Sequence, residues 1–389
     1  MLDNLSITNI IKNIFCVYTT NTDIEQEALM SSSDYKFNEK KTVPVSKVLE
    51  FEKALYTAAG MSEQDADCVA RTLVEADARG TYSHGIQRNG IYLKRFEEGG
   101  NDPVGRPETV KQFGATALVD GHNAMGMVVG EYGMNLAIDL ARKYGTSAVS
   151  ITGSNHFGTC AHYLKMAADA GMIAFVWTIN CVNIMAPWGG TERQLGNNPF
   201  GIGAPCGEKP PVILDMATSV VARGKIVMAR KTHAQIPEDW ALAPDGSKTT
   251  DPEQAYWGTV QPFGKYKGYG LTLMNAIISA ILNNSSFGND IIDLYEEPGK
   301  IQNSGHLFQV INIDAIDDLE SFKKRMDEAV DYIKNGKKAA GVDEIFVPGE
   351  KSAKNEKKAM AEGIVYPVEV INECNAQAEK YGLPQSMRL

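Results

Sequence analysis

From residue 46 onward, apolar positions recur in two rhythms, every third or fourth residue and every second residue. Val48, Phe51, Leu55 and Ala58 share one face of a helix that Gly60 ends. Ser62 then caps a second helix, with Asp65 at the capping-box position but one methylene shorter than the usual Glu. Its buried face is Ala66, Val69, Ala70, Leu73 and Val74, and Gly80 stops it. Two helices in tandem predict an N-terminal α-hairpin. Thr116–Asp120 reads as a short strand, residues 128–144 as an amphipathic helix closed by Gly145, and residues 147–152 as a buried strand. A helix over 159–170 and a strand over Met172–Thr178 follow. This alternation predicts an α/β fold with parallel pairing and right-handed crossover.

Further on, residues 211–215 read as a strand that leads into a helix reaching about Arg230. Residues 237–252 are turn-rich, and 271–282 form the most apolar helix of the chain. Residues 283–305 read as a long, partly acidic loop, 307–313 as a buried strand and Leu319–Lys334 as an amphipathic surface helix. A solvated, charged stretch over 351–358 precedes a short apolar run at 364–366 and a last helix over 368–381.

Residues 1–43 depart from this pattern. They are rich in Ile, Asn, Thr and Lys and contain no glycine, and they read as a mobile extension. The apolar stretch over 9–18 follows Asp3, lacks a basic flank and is broken by Lys12 and Asn13, so it does not read as a secretory signal. The change in composition downstream of Met30 makes that residue the expected native start. The expected organisation is an extension (1–43), a helical lobe (44–110), an α/β body (111–350) and a C-terminal segment (351–389) that packs back on the body.

Composition narrows the partners. The 389 residues carry a net charge of −10, which argues against a nucleic-acid surface or a polybasic membrane patch. Six scattered cysteines with no C-x-x-C pair point to a reducing cytoplasm rather than secretion. No run reaches the ~18 apolar residues of a membrane span. The six histidines form no H-E-x-x-H, and no metal site is expected.

Candidate chemistry lies in the turns. Gly153-Ser154-Asn155-His156-Phe157-Gly158 lifts an imidazole to the carboxyl end of a strand, where ligands of open α/β sheets bind. A hydrogen-bonded structural histidine explains this turn equally well on local grounds. A second turn, Ser83-His84 with Arg88 four residues on, suits proton relay beside a guanidinium that can fork onto a carboxylate. A polar helix connection is its plainer reading. Asn180 and the run Leu195-Gly196-Asn197-Asn198-Pro199-Phe200-Gly201 form amide- and glycine-rich loops that let backbone approach a ligand. Asp215 sits at a strand end, where it can cap a helix or accept from a cofactor. Gly264-Lys265-Tyr266-Lys267-Gly268 at a helix start is a candidate phosphate cradle. No G-x-G-x-x-G fingerprint is present, which argues against a Rossmann fold.

Taken in order, these stretches resemble one family. They are Arg79-Gly80-Thr81-Tyr82-Ser83-His84-Gly85, Ser154-Asn155-His156-Phe157-Gly158, Ala186-Pro187-Trp188-Gly189-Gly190, and Asp215-Met216-Ala217-Thr218-Ser219 followed by Ala222-Arg223-Gly224-Lys225. Thr250-Asp251-Pro252, Lys267-Gly268-Tyr269-Gly270-Leu271 and Val347-Pro348-Gly349-Glu350 continue the match. Over about residues 45–389 the chain resembles the type 2 malate/L-lactate dehydrogenases, a family that includes ureidoglycolate and sulfolactate dehydrogenases. The resemblance implies a non-Rossmann mixed sheet covered by helices, with an N-terminal helical lobe. It implies hydride transfer between NAD or NADP and a 2-hydroxy acid, malate or L-lactate before ureidoglycolate, and a homodimer. It assigns His156 as proton acceptor, Ser83 and His84 as a relay pair, and Arg88, Arg223 and Gly224 to the substrate. Asn180, Asp215, Met216, Ala217 and Lys265 fall on cofactor-contacting stretches. Asn197 stands where the family often has Thr, beside the substrate, and Pro262-Phe263-Gly264-Lys265 replaces its Pro-Leu-Gly-Gly. These two departures leave a catalytically silent homologue as a third expectation. Ala229 matches the aspartate of the imine reductase relay, which argues against that activity.

Overall fold

Caps and glycines cut the chain close to where the pattern predicts. The computed structural model describes residues 39–389. Strand β1 (Lys40–Val43) and helices α1 (Val45–Ala58), α2 (Glu63–Ala78) and α3 (Asn89–Glu98) build the N-terminal lobe. Most of the expected extension lies outside the described residues, but Lys40–Val43 is a strand rather than part of it. Helix α1 buries Val48, Phe51 and Leu55, whereas Ala58 faces solvent. The Ser62 hydroxyl accepts from the Asp65 N–H at 3.2 Å and so starts α2. The Asp65 carboxylate instead accepts from that hydroxyl and pairs with Arg106. Between α2 and α3 the chain makes two tight turns, Tyr82–His84 and Ile86–Arg88.

The body follows as β2 (Glu108–Phe113), β3 (Thr116–Asp120), α4 (Gly126–Tyr144), β4 (Thr146–Ser154), α5 (Cys160–Asp169) and β5 (Met172–Thr178). It continues with β6 (Phe200–Ala204), β7 (Val212–Met216), α6 (Arg223–Thr232), β8 (Ala241–Leu242), α7 (Pro252–Trp257), β9 (Thr259–Val260) and α8 (Tyr266–Ser279). Then come β10 (Ser304–Asn312), α9 (Leu319–Lys334), α10 (Glu350–Glu362), β11 (Ile364–Pro367) and α11 (Val368–Lys380). A lobe boundary at 110 would fall inside β2. The charged stretch at 351–358 is helical, with Ala359 of α10 turned inward.

The main sheet has seven strands in the order β2-β3-β4-β10-β5-β6-β7. Its β3–β4 pair is parallel, and every other pair is antiparallel. The expected direct pairing of β4 with β5 is not made, because β10 lies between them, antiparallel to both. Leu307, Phe308 and Val310 are buried, and a strand this apolar is best placed in mid-sheet with both backbone edges paired. One face packs against α4 and α5 through Val149, Ile151, Ala174, Val176 and Phe308. The C-terminal segment was expected to pack on the body; its main contacts are with the helical lobe. Strand β11 pairs with β1, and Ile364, Tyr366, Ile371 and Cys374 join the α1–α2 core.

One ion network ties the lobe to the body. His162 on α5 has Nδ1 2.8 Å from Glu75 Oε2 on α2, and Nε2 3.0 Å from Glu131 Oε1 on α4. Arg71 holds Glu131 from the other side at 2.8 and 3.0 Å. Burial works against a charge on His162, but the bonds to Glu131 and Glu75 outweigh it and lift its pKa to about 9. A folded-state pKa above the unfolded value contributes stability that is whole below the unfolded pKa. That stability is lost as pH rises through the folded one. Denaturant melts should therefore show a fall of about 3 kcal/mol between pH 6 and 10. His162→Gln should lack that part of the fall, and an equal pH slope in the variant would disprove the charged triad.

Candidate active site

His156 follows β4 on a loop that several elements hold at once. Asn155 beside it is 1 % exposed, and its Nδ2 lies 2.9 Å from Ala124 O and 3.0 Å from Asn123 Oδ1. Its Oδ1 accepts from Arg95 at 3.0 Å. Arg95 is wholly buried on α3, and among the described residues it has no carboxylate partner. Carbonyls of Gly100 (2.5 Å), Pro298 (3.1 Å) and Lys300 (3.2 Å) surround its guanidinium. Burial lowers its pKa, and those carbonyl dipoles hold the charge in place of an anion. Behind the loop, buried His306 bridges Thr178 Oγ1 at 2.7 Å and Ser154 Oγ at 2.9 Å, and Phe157 stacks on it at 4.3 Å.

The second histidine turn comes to meet the first. The His84 and His156 rings stack with centroids 5.4 Å apart. Ser83 Oγ lies 2.9 Å from His84 Nδ1, and Tyr92 Oη lies 2.6 Å from His156 Nδ1. Arg88 donates through Nε to Ser83 O at 2.6 Å, and its Nη1 pairs with the Tyr295 hydroxyl. Three of its five N–H groups remain for a ligand. Both histidines are only partly exposed and are walled by protein. Burial, then the Arg88 charge, holds His84 at about 3 and takes His156 well below its ordinary 6.5. Both imidazoles are therefore neutral at pH 7, and a neutral imidazole can accept a proton.

A second group of expected residues gathers across the strand ends. Asn198 is wholly buried. It accepts the Asn180 N–H at 3.2 Å and donates to Thr272 O at 3.1 Å, and Asn275 donates to its carbonyl at 2.6 Å. Asn197 O accepts from Thr218 N and Oγ1, both at 2.8 Å, which ties it to the segment of Asp215, Met216 and Ala217. Phe263 N–H bonds Thr218 O at 3.0 Å, bringing in the Lys265 loop at the start of α8. Asp215 does cap a helix, but a distant one: its Oδ2 accepts the Ala161 N–H of α5 at 2.9 Å. Arg223 and Gly224 stand apart at the start of α6. The Arg223 guanidinium lies over Tyr256 at 5.2 Å, and among the described residues no hydrogen bond or ion pair joins it to the histidines.

Two unpartnered atoms test whether a nicotinamide fits. Gln302 is 2 % exposed; its Oε1 accepts the His156 N–H at 3.2 Å, but its Nε2 has no partner among the described residues. Asn197 Oδ1 is likewise buried and alone. Asn180 connects them. It lines a narrow crevice with Gln302, Cys181 and Ile179, and its Cβ lies 2.4 Å from where a Cβ on Gly196 would stand. A buried donor and a buried acceptor left open cost about 1–3 kcal/mol each. A carboxamide carries both complements, an acceptor of the kind Gln302 Nε2 lacks and a donor of the kind Asn197 Oδ1 lacks. Among the described residues no group of three or more His, Cys, Asp or Glu could hold a metal.

Comparison with known proteins gives the family. A family model described as malate/L-lactate dehydrogenase matches residues 43–375. The chain belongs to that family. A malate dehydrogenase of Pyrococcus abyssi is 37% identical over 349 residues, 88% of this chain and 95% of that one. An L-sulfolactate dehydrogenase of Methanocaldococcus jannaschii is 40% identical over 299 residues, 77% of this chain and 86% of that one. The crystal structure of malate dehydrogenase from Entamoeba histolytica superposes with a TM-score of 0.84 at 32% identity, covering 89% of this chain and 99% of that one. This malate/L-lactate dehydrogenase family chain is thus an enzyme of the 2-hydroxyacid dehydrogenase class that uses a nicotinamide cofactor.

Sequence reasoning missed Tyr92, Arg95, Tyr295, Gln302 and His306. Tyr92 had a signal: it lies four residues beyond Arg88, one helical turn on along the same face. Tyr295 and Gln302 lie in the long polar loop, where nothing local marks them. Arg95→Lys cannot reach four acceptors with one ammonium. It should cost about 2–3 kcal/mol in a denaturant melt and lower turnover as the His156 loop loosens. Unchanged stability would show that the Arg95–Asn155 contact does not hold the loop.

Proposed function

We propose that the enzyme oxidises malate or L-lactate with NAD or NADP, and that His156 is its proton acceptor. The observation that carries this reading is the stacked, neutral His84–His156 pair, with Arg88 held beside it and open to a carboxylate. The bound nicotinamide supplies hydride chemistry. The chain does the rest. In the tautomer whose Nδ1–H donates to the Tyr92 hydroxyl, His156 presents a bare Nε2 to the substrate hydroxyl and takes its proton. The Gly158 N–H points at Nδ1 from 3.4 Å and favours the opposite tautomer, and the much shorter Tyr92 contact outweighs it. Ser83 and His84 pass protons toward solvent. Arg88 forks onto the substrate carboxylate, with Arg223 and Gly224 at the substrate's far end and Asn197 beside it. Gln302 and Asn180 face the nicotinamide carboxamide, while Asp215, Met216, Ala217 and Lys265 line the remainder of the cofactor.

The test is absorbance at 340 nm with each nucleotide against malate, lactate, sulfolactate and ureidoglycolate. Turnover on malate or lactate is expected. Preference for either of the other two acids would overturn the substrate, and failure of both nucleotides to bind would overturn the reading. His156→Ala should lower turnover by roughly 100-fold or more with nucleotide affinity kept. Arg88→Ala should mainly raise the substrate KM.

The homodimer has a surface to use. Helix α8 turns a face of small and polar residues inward, Gly268, Thr272, Asn275, Ala276 and Ser279. Met274, Ile281 and Leu282 are 53 %, 51 % and 66 % exposed. An apolar face of this kind suits a second copy of the chain. Met274→Glu with Leu282→Glu should yield monomers in analytical ultracentrifugation, and an unchanged sedimentation coefficient would rule this face out. Among the described residues the cysteines are buried and no helix is long and apolar enough to cross a membrane, which suits a cytoplasmic enzyme.

A further inference from the structure

Beneath the Ser83–His84 turn lies a buried carboxyl that no step above uses. Asp77, near the end of α2, is 2 % exposed. Its Oδ2 accepts two hydrogen bonds, from the Ile86 N–H at 3.0 Å and from the Tyr366 hydroxyl at 2.9 Å. Gly85, between the two tight turns, presses onto it so closely that a Cβ there would stand 1.7 Å from Asp77 Oδ1. Tyr366, on β11 of the C-terminal segment, is 1 % exposed. Its ring also meets Tyr82, the first residue of the turn, edge-on at 6.2 Å. One side chain almost 290 residues away in sequence thus touches the turn's first residue and also holds the carboxyl that fixes its exit.

We infer that Asp77 and Tyr366 are positioning residues that set the Ser83–His84 turn against His156, so that the C-terminal segment serves as the platform of the proton relay. The inference rests on the proton-transfer reading of the two histidines. The relay needs His84 stacked at one distance from His156, and the Tyr82–His84 turn is a single tight turn held by only two local backbone bonds, His84 N–H to Thr81 O and Gly85 N–H to Tyr82 O. Without support from below, several turn conformations would compete. The groups facing Asp77 are Glu52, Tyr82, Tyr366 and Cys374, none of them a cation. Burial raises the Asp77 carboxyl to about 7 against the two bonds that lower it, so acceptor geometry matters here more than charge.

The test uses the full chain with the nucleotide and hydroxy acid that the wild type turns over. Tyr366→Phe removes one oxygen and keeps the ring. It should lower kcat about tenfold, the scale of a sub-ångström misplacement, with nucleotide Kd unchanged and the protein fully folded. Asp77→Asn keeps an acceptor oxygen for both donors and should restore kcat to within about threefold of wild type. Asp77→Leu should lose roughly 100-fold. It could also fail to fold, so the first two variants decide. A merely structural role would lower the melting temperature and the active fraction and leave kcat per folded molecule intact. Wild-type kcat in Tyr366→Phe, or a loss in Asp77→Asn as deep as in Asp77→Leu, would overturn the inference. If His156→Ala keeps its turnover, the proton-transfer reading itself falls, a result separate from either of these.

Discussion

The hydrogen bond from Arg95 to Asn155 is the contact on which the site depends. Arg95 belongs to the helical lobe, Asn155 to the loop that carries His156, and the carbonyls of Pro298 and Lys300 to the segment leading into β10. A guanidinium without a carboxylate is costly to bury, and it is tolerated here because four oxygens surround it. The arrangement makes three parts of the chain mutually dependent. If the lobe shifts, the histidine loop and the segment before Gln302 shift with it.

A second constraint is electrostatic. Burial keeps His84, His156 and His306 unprotonated, and the fixed charge of Arg88 adds to it at His84 and His156. His162 is treated the opposite way: two carboxylates flank it and keep it charged. The same residue type therefore stands as the proposed base, as a neutral hydrogen-bond bridge and as a buried cation. The difference lies in whether carboxylates or hydroxyls face it.

The mixed sheet explains how a dehydrogenase manages without a glycine fingerprint. In a doubly wound Rossmann sheet the cofactor lies over one helix N-terminus at a crossover. Here β10 enters between β4 and β5, and the ends of all three strands come together with the long loop before β10. The crevice is lined by amides such as Asn180 and Gln302 rather than by a glycine-rich turn.

The sequence by itself determined the elements and their ends. Met172–Thr178 alternates along a strand, Leu319–Lys334 carries a helical stripe, and Ser62 and Gly145 mark helix ends. These signals act within a few residues, through backbone sterics, caps and period, and so they survive without the fold. It also placed His156 at a strand end and Arg88 four residues past His84. Only the tertiary structure decided that the two histidines stack, that β10 separates β4 from β5, and that Tyr92, Tyr295 and Gln302 close around them. Those outcomes depend on which distant apolar strand gains most by central burial and on which buried polar atoms find partners, and neither is encoded in a local window. Asn197 shows the boundary. Its place beside the site followed from resemblance, whereas its unpartnered oxygen became visible only once Asn180, Thr218 and α8 had folded around it.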